Sequence, residues 1–152
     1  MKTAICYFSN HHGNTLRVAE AMAEGNDVEL IDVRSRAAVR LEQYDAVGFA
    51  SGIYFGKFHK TVIDFLRQYL PEGKPVFFVS TCGSPAAQRY TDAISAAAEK
   101  NAPVLGSFSC RGYDTYGPFK LVGGIAKGHP DERDLRDARE FYASLTPPDE
   151  RP

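Results

Sequence analysis

Short apolar runs alternate with longer amphipathic segments along the chain, and this alternation limits the folds open to it. The segments after the first, third and fourth runs carry apolar residues at helical spacing. Strands that alternate with helices pair in parallel through right-handed crossovers. The sequence therefore predicts an α/β three-layer sandwich around a five-stranded parallel sheet. The first apolar run, Thr3 to Ser9, is too short for a helix and is typical of a strand buried on both faces. The other four predicted strands are Val28 to Val33, Ala46 to Ser51, Val76 to Thr81 and Val104 to Cys110.

The remaining segments complete a single predicted domain. Residues 34–44, RSRAAVRLEQY, are expected to form at most a turn or two of helix. A last helix is expected to open at Pro130, which suits the first helical position, and to run to about Leu145. No repeat or linker indicates a second domain, so residues 1–146 are predicted as one domain and residues 147–152 as a disordered tail.

Charge and cysteine content exclude several classes of function. Eighteen basic and nineteen acidic residues leave a formal charge of -1, which argues against a nucleic-acid partner. Three cysteines with no CxxC spacing indicate neither a disulfide framework nor a metal site. No run approaches the roughly 20 apolar residues of a membrane span. We therefore expect a cytoplasmic protein without nucleic-acid or integral membrane contact.

The loop after the first strand has the composition of an anion-binding loop. Backbone amides and the N-terminus of the following helix can hold a phosphate, to which hydroxyl and amide side chains add donors. The loop lacks both GxxxxGK[ST] and GxGxxG, so it does not indicate a nucleoside triphosphate or a dinucleotide. The alternative is that Asn14 or Thr15 only caps the helix. The candidate phosphate-binding residues are Ser9, Asn10, His11, His12, Gly13, Asn14 and Thr15.

The segment YFSNHHGNT followed by LRVAEAMA resembles the phosphate loop and first helix of flavodoxin-like proteins, whose commoner pattern is [ST]xTGxT. Gly13, Asn14 and Thr15 match the GxT part, and His12 stands where the family usually has a threonine. A partly protonated His12 would replace the lost hydroxyl contact with a charge-assisted bond. The resemblance implies a flavodoxin-like strand order 2-1-3-4-5 and FMN as the cofactor.

Two further loops extend this resemblance. The loop from Ser51 to Phe58 resembles the flavodoxin loop that supplies a stacking aromatic, here Tyr54, and an adaptable peptide, here at Gly52 or Gly56. Phe58 itself is expected to cover the core. The loop that follows the fourth strand resembles the second flavin loop, which often carries a Cys-Gly pair. The cofactor contacts implied are Ser51, Gly52, Ile53, Tyr54, Phe55, Gly56, Thr81, Cys82, Gly83 and Ser84.

The segment from Cys110 to Pro130 contains five glycines and leaves the fifth strand toward the same loops. Long loops without regular elements are usually functional or disordered. We interpret this segment as a cap over the flavin or as a docking surface for a partner. The alternative is that it only packs against the rest of the domain. Its candidate residues are Arg111, Tyr113, Asp114, Tyr116 and Lys120.

The resemblance implies an FMN protein that carries electrons from a reductase protein to an acceptor protein, with no catalytic residue or metal of its own. The near-neutral charge weakens the electrostatic steering that such docking uses. In addition, GIYFGKFH followed by VIDFL is similar to menaquinone-linked protoporphyrinogen oxidases of the same fold. The alternative is therefore a small FMN-dependent reductase or oxidase that acts on a quinone, porphyrin or tetrapyrrole. The sequence leaves the oligomeric state open.

Overall fold

The computed structural model describes residues 1–10, 13–35, 38–83, 91–112 and 126–145, without the side chain of Thr91. A short 3₁₀ turn, Leu41–Gln43, lies where the sequence predicts a weak helix, and residues 36–37 of that segment lie outside the described residues. The strands are β1 (Thr3–Phe8), β2 (Val28–Asp32), β3 (Ala46–Tyr54), β4 (Lys57–Phe58), β5 (Val76–Cys82) and β6 (Val104–Arg111). The helices are α1 (Asn14–Ala23), α2 (Lys60–Tyr69), α3 (Thr91–Glu99) and α4 (Glu132–Ser144).

Five strands form a parallel sheet in the order β2-β1-β3-β5-β6, and the short β4 pairs antiparallel with the end of β3. This confirms the predicted order 2-1-3-4-5, because β4 inserts only a hairpin between the third and fourth parallel strands. The chain leaves β1 on one side to form β2 and returns to β3 on the other side. The order therefore reverses between β1 and β3, the point where parallel sheets of this kind bind ligands.

Each face of the sheet carries its own core. Neighbouring residues of a strand point to opposite faces of the sheet. Phe78 therefore packs in one cluster with Val62 of α2, and this cluster also includes residues of α3. Phe77 packs in the other cluster with Met22 of α1 and Tyr142 of α4. Helices α2 and α3 therefore cover one face and α1 and α4 the other, which confirms the predicted three layers.

The start of α4 differs from the prediction. The helix begins at Glu132 and not at Pro130, because Asp131 is its N-cap. Asp131 Oδ1 accepts a hydrogen bond from the Asp134 N–H at 2.9 Å, and Asp134 Oδ2 accepts one from the Asp131 N–H at 2.8 Å. This reciprocal capping satisfies the N–H group of the N-cap residue and one N–H group of the first turn, and it leaves Pro130 outside the helix. His129 Nδ1 lies 2.7 Å from the same Asp134 Oδ2.

The predicted tail, residues 147–152, lies outside the described residues, as do Tyr113, Asp114, Tyr116 and Lys120 of the glycine-rich segment. Their predicted roles therefore stay predictions. Among the helices that the structure describes, none is long and apolar enough to cross a membrane.

Candidate functional site

The predicted cofactor loops start from one level of the sheet. Phe8 at the end of β1 is in register with Ser51 of β3, Ser51 with Ser80 of β5, and Ser80 with Ser109 of β6. In a parallel sheet, the segments that follow these residues leave from the same edge. The structure thus brings the starts of all the predicted loops together.

The N-terminus of α1 lies at this edge. Gly13 is the N-cap and has a left-handed backbone with a φ of 69°, a conformation that glycine adopts without the cost of a Cβ. Gly13 itself has no side chain to cap the helix, and no acidic residue lies in the first turn. Ser9 Oγ, from the start of the loop, accepts a hydrogen bond from the Leu16 N–H at 3.2 Å. The partial positive charge of the helix end is therefore directed at the loop, as in anion sites.

His11 and His12 lie outside the described residues, so the charge-assisted phosphate bond from His12 stays a prediction. Asn10 is described and exposed.

Two residues with predicted cofactor contacts touch each other. The Oγ1 atoms of Thr15, in the first turn of α1, and Thr81, at the end of β5, are 3.0 Å apart, and both residues are buried. A hydroxyl group has one proton to donate and two lone pairs. One of the two protons makes the bond between the threonines, and the other remains available for an acceptor. The pair therefore joins the phosphate loop to the loop after β5.

Gly112 allows a second close contact between the same regions. A Cβ at position 112 would lie 2.6 Å from Asn14 Nδ2, so the Asn14 side chain occupies space that any other residue would fill. The Gly112 N–H donates to the Cys82 carbonyl at 2.9 Å. The phosphate loop, the Cys-Gly loop and the end of β6 are thus packed together.

The thiols in this region are buried. Cys82 Sγ lies 3.8 Å from the Cys110 carbonyl oxygen. Burial raises the pKa of the Cys110 thiol to about 12, so this thiol is protonated at neutral pH and is a poor nucleophile. Ser84, the last residue predicted in the Cys-Gly loop, lies outside the described residues.

The predicted loop from Ser51 to Phe58 is a β-hairpin. Strand β3 continues to Tyr54, Phe55 and Gly56 form the turn, and β4 pairs back with Ile53 opposite Phe58. Both turn residues are left-handed, with φ values of 52° and 78°, as in the two-residue turns that match strand twist. Phe55 is 84% exposed at the tip, whereas Phe58 is 3% exposed, which confirms its predicted place in the core.

The Ser51 side chain forms two hydrogen bonds at the base of this hairpin. Its side chain is fully buried, and its Oγ accepts a hydrogen bond from the His59 N–H at 2.9 Å and donates one to the Gly52 carbonyl at 2.6 Å. The hydroxyl is thus used within the chain, and the predicted cofactor contact of Ser51 stays a prediction. The Tyr54 ring lies over Gly52, with Cε2 3.4 Å from where a Cβ would be.

His59 is a residue of this region that the sequence analysis did not single out. Its ring stacks on Phe8 with centroids 3.8 Å apart and meets the Tyr54 ring edge-on at 5.3 Å. Arg34 lies over Phe8, with its guanidinium carbon 5.1 Å from the ring centroid. The role of His59 as the N-cap of α2 had no sequence signal, because histidine is not among the residue types preferred at helix N-caps. Its contact with Phe8 depends on strand register and has no sequence signal.

Comparisons with known proteins agree with this architecture. Residues 4–111, well over half of the chain, match the flavodoxin domain family, and the chain belongs to that family. An uncharacterized protein of Methanocaldococcus jannaschii is 39% identical over 147 residues, which cover 95% of this chain and 98% of that protein.

Two solved flavodoxins share the fold. A flavodoxin from the domain Archaea is 17% identical with a TM-score of 0.65, and the match covers 95% of this chain and 96% of that one. The Fusobacterium nucleatum flavodoxin bound to flavin mononucleotide is 12% identical with a TM-score of 0.64, covering 94% of this chain and 96% of that one. At these identities the two structures support the fold.

Proposed function

We propose that this chain binds FMN at the carboxyl edge of its sheet and carries electrons from a separate reductase protein to an acceptor protein. The observation that carries the proposal is the N-terminus of α1 at left-handed Gly13, an N-cap residue without a side chain, beside the Thr15 and Thr81 hydroxyls. This helix N-terminus follows β1 and lies at the point where the strand order reverses, between β1 and β3. Bound FMN would supply the redox chemistry, accepting and releasing one or two electrons.

The phosphate end of FMN suits the residues of the first loop. A helix N-terminus with no acidic residue in its first turn favours a dianion without a lysine. The Thr15 and Thr81 pair holds one hydroxyl proton that a phosphate oxygen can accept. A terminal monophosphate fits such a loop, and the sequence has no GxGxxG turn for the pyrophosphate of FAD.

The flavin ring would be held by the hairpin and by the loop after β5. Tyr54 is partly buried at the end of β3, and its ring lies over Gly52 and against His59. Phe55 presents a second aromatic ring at the tip. Aromatic side chains bind a flat ring by stacking and exclude water from it. The roles of these residues are therefore to orient the ring and to limit the access of solvent.

The described elements support a carrier rather than a complete enzyme. Every described helix packs on the one sheet, and no second parallel unit for a nicotinamide dinucleotide is present among these elements. A separate reductase protein would then supply the electrons. The cysteines, all three of which are described, are buried and form no disulfide, which fits the proposed cytoplasmic location.

The first test identifies the cofactor. Purified protein is offered FMN, FAD and riboflavin in separate titrations, and any flavin that copurifies is released by heat and identified by chromatography. We expect FMN to copurify and to bind more tightly than riboflavin, because only FMN has the phosphate. FAD as the sole flavin, or a protein that binds no FMN, would contradict the proposal.

The second test separates a carrier from an enzyme. Oxidised, FMN-loaded protein is mixed with NADPH in a stopped-flow instrument, with and without a flavodoxin reductase. We expect rapid bleaching of the flavin only when the reductase is present. Rapid bleaching by NADPH alone would favour the alternative, a small reductase or oxidase, and would justify assays with quinones, porphyrins and tetrapyrroles.

A further inference from the structure

A single side chain, His59, connects the two loops that the proposed function assigns to FMN. Its ring lies nearly parallel to that of Phe8, with an angle of 10° between the planes. Phe8 ends β1 and directly precedes Ser9 of the phosphate loop. The same imidazole meets Tyr54, the last residue of β3, at an angle of 80°. Phe8, which directly precedes the phosphate loop, and Tyr54, in the hairpin, are therefore both packed against one imidazole group.

The hydrogen bond that the His59 ring accepts requires the ring to be neutral. Nδ1 accepts a hydrogen bond from the Thr61 N–H at 3.1 Å and thereby caps α2. A neutral imidazole has one acceptor nitrogen and one donor nitrogen, whereas the protonated ring has two donors. The cap therefore assigns the proton of the neutral ring to Nε2. A second proton, taken from solvent onto Nδ1, removes the acceptor and leaves the Thr61 N–H without this bond.

The guanidinium group of Arg34 also disfavours a charged His59. Arg34 lies over Phe8, the ring on which His59 stacks, and its guanidinium is held by two bonds of 3.0 and 2.9 Å to Asp32. His59 is in addition at the positive end of the α2 dipole. Burial and, to a smaller extent, Arg34 lower the pKa of His59.

The other charged groups around His59 are already engaged or exposed. On its own helix, Lys60 and Asp64 pair with each other at 3.3 Å. From α3, Asp92 Oδ1 accepts the Phe58 N–H at 3.4 Å. From β4, Lys57 is exposed opposite Tyr54. None of these described contacts supplies a carboxylate to a protonated His59.

We propose that His59 is a positioning residue: while its ring is neutral, it holds the hairpin and Phe8, directly before the phosphate loop, in the arrangement that binds flavin. Protonation of the ring releases this arrangement. The proposal rests on the proposed FMN function. The sign follows from the lowered pKa, because the unfolded chain then binds a proton more readily than the folded one. The stabilising contribution is fully present above the unfolded value of about 6.5 and is lost as the pH falls through the lower folded value.

The first experiment uses the flavin-free wild-type protein, so it depends neither on FMN binding nor on a variant. NMR spectra from pH 8 to pH 5 follow the His59 ring and the amides of Thr61 and of residues 52–58. We expect the Thr61 and hairpin amides to shift with the midpoint of the His59 ring. Titration of His59 without a shift of these amides would overturn the proposal, and so would a His59 that titrates at or above about pH 6.5 or does not titrate within this pH range.

The second experiment measures the FMN dissociation constant against pH for the wild type and for His59→Asn. Asparagine is a good N-cap and does not titrate, and the ionisation of the FMN phosphate is the same in both proteins, as is any effect of His11 and His12. The ratio of the wild-type constant to the variant constant therefore isolates His59. We expect this ratio to rise about three- to tenfold from pH 7.5 to pH 5, the effect of losing a neutral hydrogen bond.

The two experiments fail in different ways. A ratio that does not change with pH would overturn the control of flavin binding by His59. If neither protein binds FMN at any pH, the proposed function fails, and the NMR titration still decides whether His59 holds the two loops together.

Discussion

The phosphate loop and the hairpin lie at the same edge of the sheet, yet they are held in place by different means. The phosphate loop is held by the hydrogen bond between the Thr15 and Thr81 hydroxyls and by the close packing of Asn14 on Gly112. The hairpin instead continues a central strand and is anchored in the core by Phe58. The phosphate loop presents a helix N-terminus to a ligand. The hairpin presents aromatic side chains and is anchored in the core at its base.

The largest expected effect tests the anchor of the hairpin. Phe58 is 3% exposed and packs edge-on against Phe78 with centroids 6.0 Å apart. Phe58→Ala should lower the free energy of unfolding by about 3–5 kcal/mol, the usual cost of removing a buried aromatic ring. Chemical denaturation of the flavin-free protein measures it, with Ile94→Ala on α3, where the side chain is 47% exposed, as the control. Equal losses for the two variants would show that Phe58 is not an anchor.

The next effect tests the phosphate loop. Thr15→Ala should weaken FMN binding about 10- to 100-fold, the effect of losing a hydrogen bond to a charged group. Riboflavin binding should change little, because riboflavin has no phosphate. Thr15→Ser keeps the hydroxyl and serves as the matched control. If Thr15→Ala weakens both ligands to the same degree, Thr15 acts through the packing of Thr81 and not on the phosphate.

These two regions also differ in how far the sequence predicts them. The phosphate loop follows an apolar run and precedes a helix with regular apolar spacing, so its position could be predicted. The N-cap is Gly13, however, and not Asn14 or Thr15, the two residues that the sequence offered for this role. The hairpin could not, because Ser51 and Gly52 end the apolar run while the strand continues to Tyr54. Its turn also lacks the usual Asn-Gly pair, since Phe55 takes the first left-handed position.

Contacts between distant segments account for most of what the sequence did not predict in the site. His59 meets Phe8 only because β1 and β3 pair with Phe8 opposite Ser51, a register that no local pattern specifies. The bond between Thr15 and Thr81 likewise joins residues 66 positions apart. Each residue could be predicted at the edge of the sheet, but the partner of each depends on the assembled fold.

A smaller effect tests how the base of the hairpin is fastened. Ser51→Ala removes the acceptor of the His59 N–H and the donor to the Gly52 carbonyl. We expect the free energy of unfolding to fall by about 2 kcal/mol, within the range for leaving a buried polar group unpaired. Ser107→Ala, at an exposed position of β6, is the control and should change it little. An unchanged stability of Ser51→Ala would mean that the β-ladder alone fixes the hairpin.

The smallest expected effect has the opposite sign and concerns the tip of the hairpin. Phe55 is left-handed, a conformation that costs a residue with a Cβ roughly 1–2 kcal/mol, and its ring is 84% exposed. Asparagine tolerates this conformation better and is favoured in such turns. Phe55→Asn should therefore raise the free energy of unfolding of the flavin-free protein by about 1 kcal/mol.

The matched control lies in the same turn. Gly56 is left-handed as well, with open space where a Cβ would be, so Gly56→Ala should lower the stability by roughly 1–2 kcal/mol through backbone strain alone. If Phe55 contacts the flavin as the family resemblance implies, Phe55→Asn should weaken FMN binding while it stabilises the flavin-free protein. Flavin binding would then explain why the chain has Phe55 in a strained left-handed conformation although it lowers the stability. A stabilised variant with unchanged FMN affinity would remove Phe55 from the site and leave Tyr54 as the aromatic residue of the hairpin that holds the ring.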